Sequence, residues 1–196
     1  MKYGKKPISK VLRLENTVFT FKDISLIWGD TDKTATIAGV NYYVKTGVLY
    51  RIRRGIYAKD KNYDRLELAA KIYTPSYISF ETVLAKAGIV FQFYAQIFVT
   101  SYLTREITAD KQIYSYRKIK DSVLTNQAGI EKKNNYAIAS AERAFLDVLY
   151  LNKDYHFDNL SSLDWGKILE ILPIYTNKRM EKKVKEYQKA SKVSTK

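Results

Sequence analysis

Hydrophobic residues recur at helical spacing through the first third of the chain, with polar residues between them. Residues 7–16 show this spacing and predict a short helix with one buried face. Thr20 followed by Asp23 has the spacing of a capping box, and it predicts the start of a second helix that ends at Gly29. Two short helices are therefore expected before residue 30.

A third helix is predicted to begin near Lys33, because Thr31 and Asp32 can accept hydrogen bonds from the free amides of its first turn, and to end at Gly47. At about 100° per residue, one side is mostly apolar and is expected to pack inward. Its residues are Ile37, Val40, Tyr43 and Val44. The opposite side collects small and hydrogen-bonding residues. These are Thr34, Ala35, Ala38, Asn41, Tyr42 and Lys45.

Two runs rich in β-branched and aromatic residues follow, at 48–52 and 56–58, and a glycine lies between them. This pattern predicts a β-hairpin. Arg51, Arg53 and Arg54 lie in or beside its turn, where guanidinium groups can bind phosphates or enter a narrow minor groove.

Basic residues are concentrated in this same part of the chain. Residues 1–62 hold 13 Lys/Arg against 5 Asp/Glu, whereas residues 63–180 hold 15 against 13 and residues 181–196 hold 6 against 2. An anionic partner is therefore expected at the N-terminal third, with nucleic acid ahead of a membrane surface. The simpler alternative is that the charge only keeps the protein in solution.

Three helices followed by a basic hairpin predict a winged helix-turn-helix domain in residues 1–60. The third helix would enter the major groove, where Asn, Thr and Lys can read base edges or hold phosphates. The simpler alternative is an ordinary solvated helix face. The predicted DNA-binding residues are Lys33, Thr34, Thr36, Asn41, Tyr42, Lys45, Arg51, Arg53 and Arg54.

An α+β domain is predicted for residues 61–190, with a small mixed sheet and C-terminal helices, and a frayed tail for residues 191–196. Its helices are expected at 63–73, before Gly88, from Ala141 to Leu151 after a Ser140 cap, after Ser161 or Ser162, and from Asn177. Its strands are expected at 91–93, 96–101, 112–119 and 136–139, with connections at 102–111 and 120–135. Arg143 and Asp147 are four residues apart, which suits an exposed ion pair.

Candidate catalytic chemistry is sparse. The chain has no cysteine, and its single histidine, His156, lies in a polar segment that predicts a surface loop. Asp30 and Asp32 could hold a metal for nucleotidyl transfer, but their position at a helix start favours capping. No phosphate-binding loop of the G-x-x-x-x-G-K-[ST] type occurs. We therefore expect no enzyme activity and no cofactor.

Three stretches resemble the AbiEi-type antitoxins and related bacterial transcriptional regulators. They are VNYYVKTGVLYRIRRGIYA at 40–58, SYISFETVLAKAGI at 76–89 and IASAERAFLDVLYL at 138–151. The second stretch has Thr82 and Val83 where the family pattern has Ser and Ala.

The resemblance implies the antitoxin of a type IV toxin–antitoxin operon, of the kind involved in abortive infection and phage resistance. Such a protein represses its own promoter, and inverted repeats are the expected operator. Its companion is a nucleotidyltransferase-like toxin, which the second domain counteracts without a required direct complex.

Two further hypotheses remain open. The second domain could grip a protein partner while the basic third adds only nonspecific affinity for nucleic acid. A nucleic-acid-processing enzyme using Asp30 and Asp32 is the weaker one. The chain also lacks a run of about 18 apolar residues and a leader-like N-terminus, so we expect a soluble cytoplasmic protein without a membrane partner.

Overall fold

The computed structural model describes residues 7–193, and over that range the chain is a mixed α+β protein, as predicted. The elements form two compact units, and the boundary lies between Ile72 and Tyr73. Sequence had suggested a boundary after residue 60. The difference concerns one helix, which packs with the first unit.

Over residues 7–72, the described part of the first unit, there are four helices and three strands. In chain order they are α1 Ile8–Leu12, β1 Val18–Thr20, α2 Phe21–Trp28, α3 Lys33–Lys45, β2 Tyr50–Arg53, β3 Ile56–Ala58 and α4 Arg65–Ile72. The predicted start of α2 is confirmed, because Thr20 and Asp23 form a complete capping box. Gly29 ends α2 in the left-handed conformation, also as predicted.

A three-stranded antiparallel sheet completes this unit, in the order β1-β3-β2. The hairpin of β2 and β3 was predicted, although β2 begins two residues later than the apolar run at 48–52. Strand β1 was not predicted. It is only three residues long, and its pairing partner β3 lies far along the chain, so no local pattern marks it.

One hydrophobic core joins the first three helices to the sheet. Its buried members are Val11, Phe19, Ile24, Trp28, Val40, Tyr43, Leu49 and Tyr57. Because these residues come from α1, β1, α2, α3, β3 and the segment before β2, the core fixes the position of α3 relative to the hairpin.

A buried carboxylate of helix α4 binds the segment between α1 and β1. Glu67 accepts hydrogen bonds from the Asn16 side chain at 3.1 Å and from the amide and hydroxyl of Thr17 at 2.8 and 2.7 Å. A buried carboxylate needs such donors, because an unpaired charge in the interior is costly. The buried residues of this helix are Glu67, Leu68 and Ala69.

The second unit contains a six-stranded sheet and five α-helices within the described residues. The elements are β4 Ser76–Ile78, α5 Glu81–Lys86, β5 Ile97–Ser101, β6 Arg105–Ala109, β7 Gln112–Lys118, α6 Asp121–Leu124, β8 Ile130–Lys132, β9 Ala137–Ala139, α7 Ala141–Leu151, α8 Trp165–Ile171, a 3-10 turn Leu172–Tyr175 and α9 Lys178–Val193. Helix α7 matches the prediction, including its Ser140 cap.

The sheet of the second unit has the order β6-β7-β5-β4-β9-β8 and is mixed, as predicted. The pairs β5–β7 and β4–β9 are parallel, and the others are antiparallel. Strands β6 and β8 and helix α6 lie in segments that were predicted to be connections. The predicted strand at 91–93 is wrong, because these residues form an extended loop without ladder pairing.

The C-terminal helices differ from prediction at their ends. Asp164 caps α8, accepting hydrogen bonds from the amides of Gly166 and Lys167, so neither Ser161 nor Ser162 is the cap. Helix α9 continues to Val193, into the segment 191–196 that was expected to fray. Residues 194–196 lie outside the described part of the chain.

Candidate nucleic-acid interface

Helix α3 begins with two aspartates that are both used locally. Asp32 is the N-cap and accepts a hydrogen bond from the amide of Thr34 at 2.8 Å. Asp30 accepts one from the hydroxyl of Thr36, also at 2.8 Å. Asp32 therefore caps the helix, as predicted, whereas Asp30 holds the side chain of Thr36. Within residues 7–193, no cluster of three or more Asp, Glu, His or Cys side chains could hold a metal ion.

One side of α3 is exposed along its whole length. The exposed residues at spacings of three and four are Thr34, Ile37, Ala38, Asn41, Tyr42 and Lys45. Lys33 is exposed at the first turn. This stripe, hereafter the α3 face, presents one amide, one hydroxyl, one phenol and two cations to solvent, so it can form hydrogen bonds and ion pairs with an external partner.

Thr36 corrects the predicted site. It was placed among the DNA-binding residues, but its side chain is fully buried, and its hydroxyl donates to Asp30 and to the carbonyl of Asp32. A buried hydroxyl with two acceptors is a structural group. Thr36 therefore cannot touch a ligand of the α3 face.

Because the face that carries Thr36 is buried, two other residues of α3 lie on the side opposite to the one predicted. Ala35, expected on the exposed side, is buried, whereas Ile37, expected in the core, is 43% exposed. The prediction from hydrophobic periodicity counted threonine as an exposed residue, so it assigned the buried face of α3 to the side without Thr36. The spacing of Thr36, Val40 and Tyr43 at i, i+4 and i+7, with Asp30 nearby as an acceptor, was the sequence signal that could have located the buried face.

The hairpin presents its arginines to solvent. Arg51 and Arg53 are both exposed on edge strand β2, and Arg54 occupies the two-residue turn with Gly55. The turn requires a positive φ, and Gly55 adopts 78° without steric cost. Within residues 7–193, none of the three arginines forms an ion pair. Their charges are thus available to an anionic partner.

Backbone hydrogen bonds attach the hairpin to the helices on both sides. The amides of Val48 and Leu49 donate to the carbonyl of Tyr43, in the last turn of α3, at 2.9 and 3.0 Å. The amide of Phe21, at the start of α2, donates to the carbonyl of Gly55 at 2.8 Å. These bonds hold the segment before β2 against the last turn of α3, and the turn of the hairpin against the start of α2.

Most acidic residues of the first unit accept local hydrogen bonds, and two of them, Asp30 and Asp32, lie at the start of α3. Asp23 completes the α2 capping box and pairs with Lys71 at 2.8 Å. Asp64 caps α4 by accepting from the amides of Leu66 and Glu67, and Glu67 itself is buried. The carboxylates hold helix ends in place, whereas the cations of the α3 face and the hairpin point to solvent.

Asp23 has a shifted pKa that reflects these contacts. Partial burial acts to raise its pKa, but the hydrogen bond and charge of Lys71 and the hydrogen bonds of Thr20 outweigh burial, so the pKa is lowered from 3.8. The charged form of Asp23 therefore stabilises the folded protein.

In the second unit, Arg143 and Asp147 form a pair that is completely buried. The ion pair forms as predicted, but the prediction that it is exposed is wrong. Asp147 also accepts hydrogen bonds from the hydroxyls of Tyr175 at 2.6 Å, Ser79 at 2.7 Å and Tyr77 at 3.0 Å. Tyr77 and Ser79 lie in and just after β4, and Tyr175 lies in the 3-10 turn, so this polar cluster joins α7 to β4 and to the turn before α9.

Burial and charge act together on the titration of this cluster. Complete burial raises the pKa of Asp147, and the charge of Arg143 opposes that shift. Burial and the charge of Asp147 raise the pKa values of Tyr77 and Tyr175, so both phenols stay protonated and donate. Arg143 also donates to the carbonyls of Ala128 and Val123, both at 2.7 Å, and to the hydroxyl of Tyr77 at 3.0 Å.

A loop after α5 exposes two phenylalanines. Phe91 and Phe93 are 71% and 88% exposed. The loop is nevertheless ordered by its contacts, because the amide of Phe91 donates to Asp158 at 2.8 Å and the carbonyl of Ile89 accepts from the amide of Asp158 at 3.0 Å. His156, which lies in the facing segment, is highly exposed, as predicted.

Comparisons with known proteins add no relative: no protein-family model matches the chain, and no curated protein matches it significantly. Within the described residues, none of the helices is long and apolar enough to cross a membrane.

Proposed function

We propose that this protein is a sequence-specific repressor that binds duplex DNA through its first unit, a winged helix-turn-helix domain. In this proposal α3 is the recognition helix, and the hairpin of β2 and β3 is the wing. The observation that carries it is the exposed α3 face, together with three exposed hairpin arginines that form no ion pair within residues 7–193.

The chemistry of the α3 face fits a major groove. A 13-residue helix is about 20 Å long, and the groove admits a helix of ordinary width. Asn41 lies near the middle, where its amide can pair with adenine N6 and N7. Lys33 and Lys45 lie at the two ends, where they can hold the flanking phosphates.

The arginines of the hairpin supply the electrostatic part of the interaction. Guanidinium groups bind phosphate oxygens in a bidentate manner, and an arginine at a hairpin tip can also enter a narrow minor groove. Specificity then comes from the α3 face, and much of the affinity comes from the hairpin.

The proposal extends to biology through the resemblance to AbiEi-type antitoxins. The protein would repress its own toxin–antitoxin operon in the cytoplasm and counteract a nucleotidyltransferase-like toxin with its second unit. A gene for such a toxin beside this one, and relief of its toxicity on co-expression, would support this extension. Toxicity that is unchanged by co-expression would contradict the antitoxin role but leave DNA recognition standing.

The direct experiment compares two duplexes of equal length, one from the protein's own promoter and one with the same bases scrambled. Specific recognition predicts at least about a thousandfold tighter binding to the promoter. Footprinting of the bound duplex should protect an inverted repeat. Equal affinity for the two duplexes would refute sequence-specific repression.

A second candidate function is a protein-interaction module with nonspecific affinity for nucleic acid. The observation that favours it is the ordered loop that exposes Phe91 and Phe93, since exposed aromatic side chains on a fixed backbone suit a protein contact. This alternative predicts equal binding to promoter and scrambled duplexes, together with a partner whose binding is lost in Phe91→Ser/Phe93→Ser.

A further inference from the structure

The α3 face contains one large aliphatic residue, which is exposed among polar residues. Ile37 is 43% exposed, between Thr34 and Asn41 along the same side of the helix. Ala38 is exposed beside it. Single apolar residues are common on protein surfaces, but this one occupies the middle of the surface proposed to enter the major groove.

The major groove has one characteristic apolar feature, the C5-methyl group of thymine, which aliphatic side chains contact. We propose that Ile37, supported by Ala38, reads thymine methyl groups in the operator. This inference rests on the proposed function and names the base chemistry that the α3 face recognises.

The position of Ile37 relative to Asn41 limits where that thymine can lie. The two residues are four apart, which is about 6 Å along a helix axis. Base pairs are stacked at about 3.4 Å, so the two side chains should address bases no more than about two steps apart. With Asn41 directed at adenine, the recognised half-site should contain an adenine and a thymine methyl within that distance.

The test uses the own-promoter duplex made in two forms, one with thymine and one with deoxyuridine at every thymine position. The two forms carry the same Watson–Crick hydrogen-bonding groups, and the deoxyuridine form differs only in lacking the methyl groups. The full-length wild-type protein should bind the thymine form about fourfold more tightly for each methyl group contacted, from the transfer free energy of one buried methylene. Single deoxyuridine substitutions then locate the base.

Two variants identify the responsible side chain. Ile37→Ser should bind the thymine and deoxyuridine duplexes equally. Leu12→Ser removes an apolar side chain of matched exposure, 40%, from α1, and should keep the wild-type preference. Thermal unfolding of both variants checks that each one is folded.

The outcomes separate this inference from the function on which it rests. Promoter-specific binding that is identical for the two forms would overturn the reading of thymine by Ile37 and leave the repressor proposal intact. A full thymine preference in Ile37→Ser would also overturn it, since another group would then read the methyl groups. Equal binding of the wild type to promoter and scrambled duplexes would remove both.

Discussion

The arginines of the hairpin give the sharpest quantitative prediction. Arg53 and Arg54 are exposed, and neither forms an ion pair within residues 7–193. Replacing both with alanine should therefore leave the folded state nearly unchanged in stability. Its effect should fall on DNA binding, because two cations that face an anionic partner are removed together.

The expected magnitude follows from counterion release. Each phosphate neutralised by a protein cation contributes about −0.9 to the slope of log K against log salt on B-form DNA. With one phosphate per arginine, Arg53→Ala/Arg54→Ala should flatten the slope by about 1.8 units. Between about 50 and 200 mM salt, the wild type should then lose about twelvefold more affinity than the variant.

The assay is a salt series of fluorescence-anisotropy titrations with the promoter duplex and with the scrambled duplex. Affinity should fall for both duplexes, because phosphates carry no sequence information. Arg105→Ala/Lys132→Ala removes two exposed cations from the second unit and gives the same change in net charge. An unchanged slope in the hairpin variant, or an equal change in this control, would refute the assignment of the hairpin as the wing.

Four further predictions concern single residues. Asn41→Ala should relax discrimination at one base position and leave the salt slope unchanged, which selection of bound sequences from a randomised pool would measure. Thr36→Val should lower the free energy of unfolding by about 1 kcal/mol, because it removes a buried hydroxyl donor, yet leave DNA binding unchanged; lost specificity without lost stability would return Thr36 to the interface. Asp147→Asn should lower the free energy of unfolding by about 3 to 5 kcal/mol, because it leaves a buried guanidinium without its counter-charge, and a denaturant midpoint like that of the wild type would contradict the polar cluster. The ion pair of Asp23 with Lys71 should stabilise the folded protein fully above the ordinary Asp23 pKa of 3.8, and this stability should be lost as the pH falls through the lowered folded-state pKa. Asp23→Asn should therefore have a lower Tm than the wild type at about pH 6 and a similar Tm in strong acid. A Tm difference that grows in acid would contradict the lowered pKa of Asp23.

Much of the first unit was predictable because its signals are local. The capping box at Thr20, the cap at Asp32 and the turn at Gly55 each depend on residues within a few positions of one another. The exposure of Asn41 and Lys45 also followed from helix phase alone. These signals were enough to locate three helices, the hairpin and most of the candidate interface.

The errors share a dependence on distant residues. Strand β1 exists because β3 lies beside it, and three residues without that partner look like loop. In the second unit, β6 and β8 are edge strands with mostly exposed side chains, so hydrophobicity did not mark them. Phe91 and Phe93 were predicted to lie in a strand because they are hydrophobic, although both are exposed in a loop.

The sequence by itself determined the starts of α2, α3 and α7, the basic hairpin turn and the excess of positive charge in the N-terminal third, since these depend on short segments or on composition. Tertiary structure alone decided that Thr36 is buried, that Ile37 is exposed and that Arg143 and Asp147 lie inside the second unit. The hydroxyls that complete the Asp147 cluster come from residues up to 70 positions away. Burial of a polar group is favourable only when such partners are present, and no local pattern reports them.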